Sequence, residues 1–419
     1  MLIHSASQLL TVPGPPQRGA DLGSLGIIPD GAVFIRDGCI RAVGKTPELL
    51  QAFPAEERLD ARGCVVMPGF VDPHTHVIWA GDRAAEFELR LQGKTYLDIL
   101  QAGGGILSTM TATRQASIQE LVAETLPRLE SMFAHGTTTA EAKTGYGLEL
   151  ASELKCLEAL LEINRLSPVE LAYTFLGAHA IPPEYKDDSD GYTRLLCSEM
   201  LPAVKSWWQT HASDLPLPFV DVFCETGAFS LAQSRRILET ARELGFPLKL
   251  HADEFDPLGG AALAIELGAV SADHLVVTTP DEIKMFGSST TAAVALPCTP
   301  FGLAHQHYTP AKAILEAGGL LAIATDINPG TAWCGSMQFA IALACRYMKL
   351  TPAQAIVAAT LNAAAALDLH DSIGSLETGK QADLLILDIP DYRHLGYRFG
   401  VNLVKTVIKN GQVYPIKGG

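Results

Sequence analysis

No uninterrupted apolar run of about 18 residues occurs in this 419-residue chain, so no transmembrane helix is expected. The opening Met1-Leu-Ile-His-Ser-Ala-Ser7 lacks a basic segment ahead of an apolar one, so no secretory signal is expected either. Positive charge is scarce. Lys and Arg number 31 against 46 Asp and Glu, giving a formal net charge of −15. Phosphate affinity needs clustered Lys and Arg, which argues against nucleic acid as a partner and equally against an anionic membrane surface. The acidity leaves a small-molecule substrate open, since one local arginine can bind an anion. Cysteine occurs eight times (Cys39, Cys64, Cys156, Cys197, Cys224, Cys298, Cys334, Cys345) but never as Cys-x-x-Cys. Thiols so dispersed in a long chain read as reduced, buried residues of a cytoplasmic protein. No segment is low-complexity, with 37 Gly and 25 Pro scattered throughout.

What is present is a repeating pattern between two unlike ends. Gly31 to Gly44 alternates apolar residues around Asp37-Gly38, a hairpin signal. Ala382 to Asp388 and Val404 to Tyr414 repeat the pattern near the other terminus, the second around Asn410-Gly411. One small β-domain built from residues 1–66 and 371–419 is expected; two separate appendages would each have little core. Between them, residues 67–370 alternate eight short apolar runs with helical periodicity. The runs are Gly69–Asp72, Thr137–Ala140, Leu171–Leu176, Phe219–Phe223, Pro247–Leu250, Ser271–Asp273, Thr291–Leu296 and Leu320–Thr325. Eightfold strand–helix alternation predicts an α/β fold: a (β/α)8 barrel of the TIM type, which needs roughly 250 residues. The longest connection carries Gly103-Gly-Gly-Ile106. It is readable as an active-site loop or as a plain surface insertion.

The strongest chemical signal is Pro68-Gly-Phe-Val-Asp-Pro-His74-Thr-His76. Residues two apart on a strand face the same way, so both imidazoles can share one metal at a barrel mouth. The spacing alone is weak evidence: His305-Gln-His307 has it too, in a Pro-flanked loop, and reads as surface histidines. Three further polar residues end predicted strands: His251, His274 and Asp326. That is the C-terminal face, where barrel chemistry is built. Burying so many ionisable groups without a partner would be costly.

This constellation, with the β segments at both ends, resembles the amidohydrolase superfamily over nearly the whole chain. The resemblance implies that His74, His76, His251 and Asp326 hold a metal and that His274 stands beside it. Many members hold two metals through a carboxylated lysine ending strand four. Here that end reads Phe223-Cys-Glu-Thr-Gly227, and Lys143 falls after strand two. One zinc or iron ion per chain is therefore expected. A homodimer is carried by the resemblance alone.

Four further segments narrow the likeness: Ala80-Gly-Asp-Arg83-Ala-Ala-Glu-Phe87, Glu141-Ala-Lys-Thr-Gly-Tyr146-Gly147, His251-Ala-Asp-Glu254, and Thr325-Asp-Ile-Asn328-Pro-Gly330-Thr331. Together they resemble the imidazolonepropionase family. The resemblance implies a small-molecule substrate, 4-imidazolone-5-propanoate, touched by Arg83, Tyr146, His179, Glu254, Asn328, Gly330 and Thr331. Arg83 suits a carboxylate fork, and Gly330 is equally readable as a turn glycine. In the implied hydrolysis Asp326 takes a proton from water, His274 polarises the carbonyl, and Glu254 relays a proton to the leaving nitrogen. The nearest alternative is an aminohydrolase of the cytosine or guanine deaminase type, whose neutral ring offers Arg83 no carboxylate. A non-catalytic barrel is the other, and it would be expected to have lost metal ligands.

Overall fold

The computed structural model describes residues 1–94 and 104–416. Two eight-stranded sheets organise them. The first is the expected composite. Its strands are β1 (Leu2–Leu10), β2 (Ile27–Arg36), β3 (Cys39–Lys45), β4 (Arg58–Asp60) and β5 (Val65–Pro68) from one end of the chain. From the other come β14 (Leu384–Leu387), β15 (Val404–Lys409) and β16 (Gln412–Pro415). Both hairpins form at their Asp-Gly and Asn-Gly turns. The ends join where β14 runs antiparallel to β5, Leu385 opposite Met67. Ile3, Leu9, Val33 and Val66 then share one core with Leu384, Ile386 and Ile408. Two separate appendages are thereby overturned, because strands from both ends pair in one sheet and share this core.

The second sheet is the barrel: β6 (Phe70–Asp72), β7 (Thr137–Lys143), β8 (Glu170–Ala178), β9 (Phe219–Cys224), β10 (Lys249–Ala252), β11 (Ser271–His274), β12 (Ala292–Ala295) and β13 (Leu321–Ile323). All pair in parallel in chain order. Helices return the chain between strands. Ile118–Ala134 and Leu231–Glu243 each start at a serine whose hydroxyl takes the N3 amide while the N3 side chain returns the bond.

The barrel closes between β13 and β6 through backbone bonds past the strand ends. Asp326 N–H donates to the His74 carbonyl at 3.1 Å and His76 N–H to the Ile327 carbonyl at 3.0 Å. The Asp72 carboxylate also accepts from Thr325 N–H and from its hydroxyl, at 3.1 and 2.5 Å. Gly103 lies outside the described residues. Gly105 N–H donates to Glu86 at 2.9 Å, and Ile106–Gln115 is helical. Among the described residues no helix is long and apolar enough to cross a membrane, and no cysteine is paired.

Candidate metal centre and active site

The barrel mouth gathers its first two imidazoles just past the end of the first strand, where the run Gly69–Asp72 stops. His74 and His76 lie beyond β6, which ends at Asp72, so they are not strand residues. They still converge, their ring centroids 5.3 Å apart, because the closing bonds to Asp326 and Ile327 keep the backbone extended. His251 lies inside β10 and His274 is the last residue of β11. Asp326 follows β13 by three residues with φ 55°, and His274 has φ 77°. Left-handed backbone at a residue other than glycine costs about 1–3 kcal/mol and gathers at functional sites.

Four side chains meet at one point. Asp326 Oδ1 lies 3.5 Å from His74 Nε2 and 3.4 Å from His76 Nε2. His251 Nε2 is 3.3 Å from His76 Nε2. His74 Nε2 and Asp326 Oδ1 are buried with no hydrogen-bond partner. Burial holds His74 and His76 well below the usual histidine range, so both present neutral lone pairs. Buried acceptor atoms that face one another with no donor among the side chains are suited to surround a cation. Ligands at about 2.0–2.1 Å in a tetrahedron stand roughly 3.3 Å from each other, close to the separations found. The donor set therefore fits a metal ion.

Around this point stand the other expected residues. His274 Nδ1 is 3.6 Å from Glu254 Oε2. Burial, with Asp326 and Glu225 nearby, raises the Glu254 carboxyl well above its usual range. Burial also lifts Asp326 to about 6. His179 stacks on His76 at 4.8 Å, and its Nδ1 faces the Gly145 carbonyl at 3.0 Å. Burial takes it down to about 3, with His251 adding to the effect. Tyr146 is buried 5.2 Å from His179, ring to ring.

Outside the imidazoles lies a cleft of about 590 Å³ lined by Arg83, Phe87, Arg90, Pro329, Gly330, Thr331 and Trp333, though by none of the four converging side chains. Arg83 is held by Glu86 at 2.8 Å, and Arg90 donates to the Gly330 carbonyl at 3.0 Å. Asn328 is engaged within its own turn. Its amide donates to the Asp326 carbonyl and the Thr331 hydroxyl and accepts from Gly330 and Thr331 N–H. His305 and His307 are exposed, as read.

Residues 65–414 match the amidohydrolase family. The chain is 53% identical to the imidazolonepropionase of Herpetosiphon aurantiacus over 412 residues, covering 98% of this chain and 96% of that one. It is 50% identical to the imidazolonepropionase of Chloroflexus aggregans, covering 99% and 98%. The chain belongs to the amidohydrolase family, among its imidazolonepropionases. Solved structures share its architecture. An adenosine deaminase from Xanthomonas campestris with bound zinc superposes with TM-score 0.68 at 20% identity, covering 99% of this chain and 92% of that one. E. coli guanine deaminase gives 0.73 at 15%, covering 99% and 98%. The deaminase likeness is one of fold.

Beneath the amidohydrolase mouth lies a layer the sequence reading missed. Glu141, Lys143, Asp221, Lys249 and Asp273 are all fully buried. Lys143 is the last residue of β7 rather than a residue after it, and it points into the barrel. Its Nζ donates to Glu141 and to Asp221, each at 2.7 Å. Asp273 Oδ2 accepts from His74 Nδ1 at 2.6 Å. Asp221 Oδ2 is 2.9 Å from His251 Nδ1. The signal was there to find: Glu141-x-Lys143 and Lys249-x-His251 put charge at every second position, the period of one strand face. Ending the second strand at Ala140, where the apolar run stops, hid it.

Proposed function

We propose that this chain opens the ring of 4-imidazolone-5-propanoate by hydrolysis, giving N-formimidoyl-L-glutamate in histidine breakdown. Water oxygen bonds to the ring carbonyl carbon, the carbon–nitrogen bond breaks, and the nitrogen leaves with a proton. The observation that carries this reading is Arg83 in a cleft whose far wall, Gly330 and Thr331, belongs to the turn that follows Asp326, in a chain half identical to imidazolonepropionases over its length.

His74, His76, His251 and Asp326 would hold one zinc or iron ion. When bound, such an ion supplies Lewis acidity, polarising a carbonyl and lowering the pKa of water toward about 7. A single ion suits the layer below. Of the other buried clusters of potential ligands, His74, His251 and His274 share two side chains with this centre, and His74, Glu141 and Asp273 already have Lys143 Nζ 2.7 Å from Glu141 and Lys249 Nζ 3.8 Å from Asp273. Two ammonium charges there oppose a second cation.

The chain's own groups divide the remaining work. Asp326, which faces His74 and His76 through Oδ1, accepts the proton of the attacking water. Glu254, raised well above the usual carboxyl range by burial with Asp326 and Glu225 nearby, is the acid that delivers a proton to the leaving nitrogen. His274, neutral because burial lowers it, faces the carbonyl oxygen. Arg83 grips the propionate, while His179 and Tyr146 close the opposite wall. Asn328 shapes the turn that presents Gly330 and Thr331. The division into residues 1–66 plus 371–419 and residues 67–370, and a cytoplasmic location, belong to the same proposal.

The test is turnover of synthetic imidazolone propionate by the purified chain, beside cytosine and guanine. Replacing Arg83 with Met should lower kcat/KM by roughly thirtyfold to several thousandfold, since breaking a paired, desolvated charge contact costs about 2–5 kcal/mol. Metal content should not change. A parent enzyme preferring cytosine or guanine, or an Arg83→Met enzyme as good as the parent, would overturn the reading.

A further inference from the structure

The buried layer under the mouth has a connectivity that the hydrolysis does not itself require. Lys143 Nζ donates to Asp221 Oδ2 on β9 at 2.7 Å and lies 3.9 Å from Asp273 Oδ2 on β11. Those are the two carboxylates that touch ligand imidazoles. Asp273 Oδ2 accepts from His74 Nδ1 at 2.6 Å. Asp221 meets His251 twice, with Oδ2 2.9 Å from the ring Nδ1 and Oδ1 accepting from the backbone N–H at 3.1 Å. One ammonium thus spans two ligands that the chain supplies 177 positions apart, one just past the first strand of the barrel and one within the fifth. Lys249 does not duplicate it. Its Nζ donates to the carbonyls of Pro73 and Ala366 at 3.0 and 3.4 Å and reaches Asp273 Oδ2 at 3.8 Å.

We propose that Lys143 is a positioning residue for the metal centre. By holding Asp221 and Asp273 in one arrangement, it sets the ring planes of His251 and His74 so that their Nε2 atoms converge. It touches neither substrate nor reacting atoms. The inference rests on the ligand assignment above. The physical ground is that a metal-binding imidazole is oriented by whatever its other nitrogen meets, and losing such a partner costs about 10–100-fold in metal affinity. Here the partners are carboxylates on strands two apart, and the Lys143 ammonium is the group that lies against both.

The contrast to draw is with a buried lysine that serves only the fold. Lys409, in the composite sheet, is also buried, 2.7 Å from Asp383 and 2.9 Å from Glu170. Metal-free parent, Lys143→Met, Lys143→Gln, Lys409→Met and His76→Ala would be titrated with Co2+, reading affinity by chelator competition and geometry by the visible absorption band. Lys143→Met should bind Co2+ about 10–100-fold more weakly with an altered band. Lys143→Gln, which keeps a donor, should fall between it and the parent. Lys409→Met should keep parent affinity and band whatever its loss of Tm. Parent affinity and an unchanged band in Lys143→Met would overturn the proposal. If Lys143→Met does not fold, Lys143→Gln is read in its place, with a parent-like result overturning the proposal. Failure of both to fold would assign Lys143 to the fold alone and overturn it too. Undiminished Co2+ binding by His76→Ala would instead sink the ligand assignment itself.

Discussion

Gly330→Ala is a small change that should disable the substrate end of the site while leaving the metal end intact. The backbone at Gly330 is not in the left-handed region, so alanine fits its conformation and should alter stability by under about 1 kcal/mol. Its N–H bond to Asn328 Oδ1, at 2.8 Å, and its carbonyl bond from Arg90, at 3.0 Å, need no side chain. The obstacle is Arg83. A methyl group on Gly330 would stand 2.3 Å from Arg83 Nη1 and 3.0 Å from Cζ. Restoring ordinary contact requires the guanidinium to retreat by about 1 Å, against its tether to Glu86 at 2.8 Å. A misplacement of about 1 Å costs up to about a hundredfold in rate. Complete loss of the contact costs about 2–5 kcal/mol. We therefore expect kcat/KM to fall about 30- to 100-fold, or roughly 2–3 kcal/mol. Steady-state kinetics, elemental analysis and thermal melts would be run on the parent, both single variants and the Arg83→Met/Gly330→Ala double variant. Once Arg83 is gone the added methyl has nothing to displace, so the double variant should match Arg83→Met. Parent-like KM in Gly330→Ala, or losses that add in the double variant, would refute the argument.

Two further outcomes follow from the converging side chains. His76→Ala should remove most of the metal and nearly all activity, because an open catalytic site has few ligands to spare; elemental analysis finding two tightly held ions in the parent would contradict the single-ion reading. His274→Phe should cut turnover by roughly a hundredfold or more if its ring stabilises the developing oxyanion, with metal content retained, whereas unchanged turnover would reduce it to packing.

The barrel and its small β-domain were legible because both rest on local periodicity. Eight apolar runs marked β6 to β13, and Asp37-Gly38 and Asn410-Gly411 marked the hairpins. The converging residues were legible because a parallel barrel delivers the ends of all its strands to one face, so His251, His274 and Asp326 could be assigned to it without coordinates. One boundary that differed is the end of β7, read at Ala140 and found at Lys143. β6 stops at Asp72, and His74 and His76 face inward only because bonds from Asp326 and to Ile327 close the barrel there. No pattern within residues 70–76 contains those partners, which lie some 250 positions away. The same holds for Gly330, whose need for a bare Cα comes from Arg83 across the mouth and not from its own backbone. The charged layer of Glu141, Lys143, Asp221, Lys249 and Asp273 is the plainest case. Composition counts each as a surface residue, and burying any one alone would be prohibitive. Closing the barrel supplies every one of them with an opposite charge from another strand, a compensation that exists only in three dimensions.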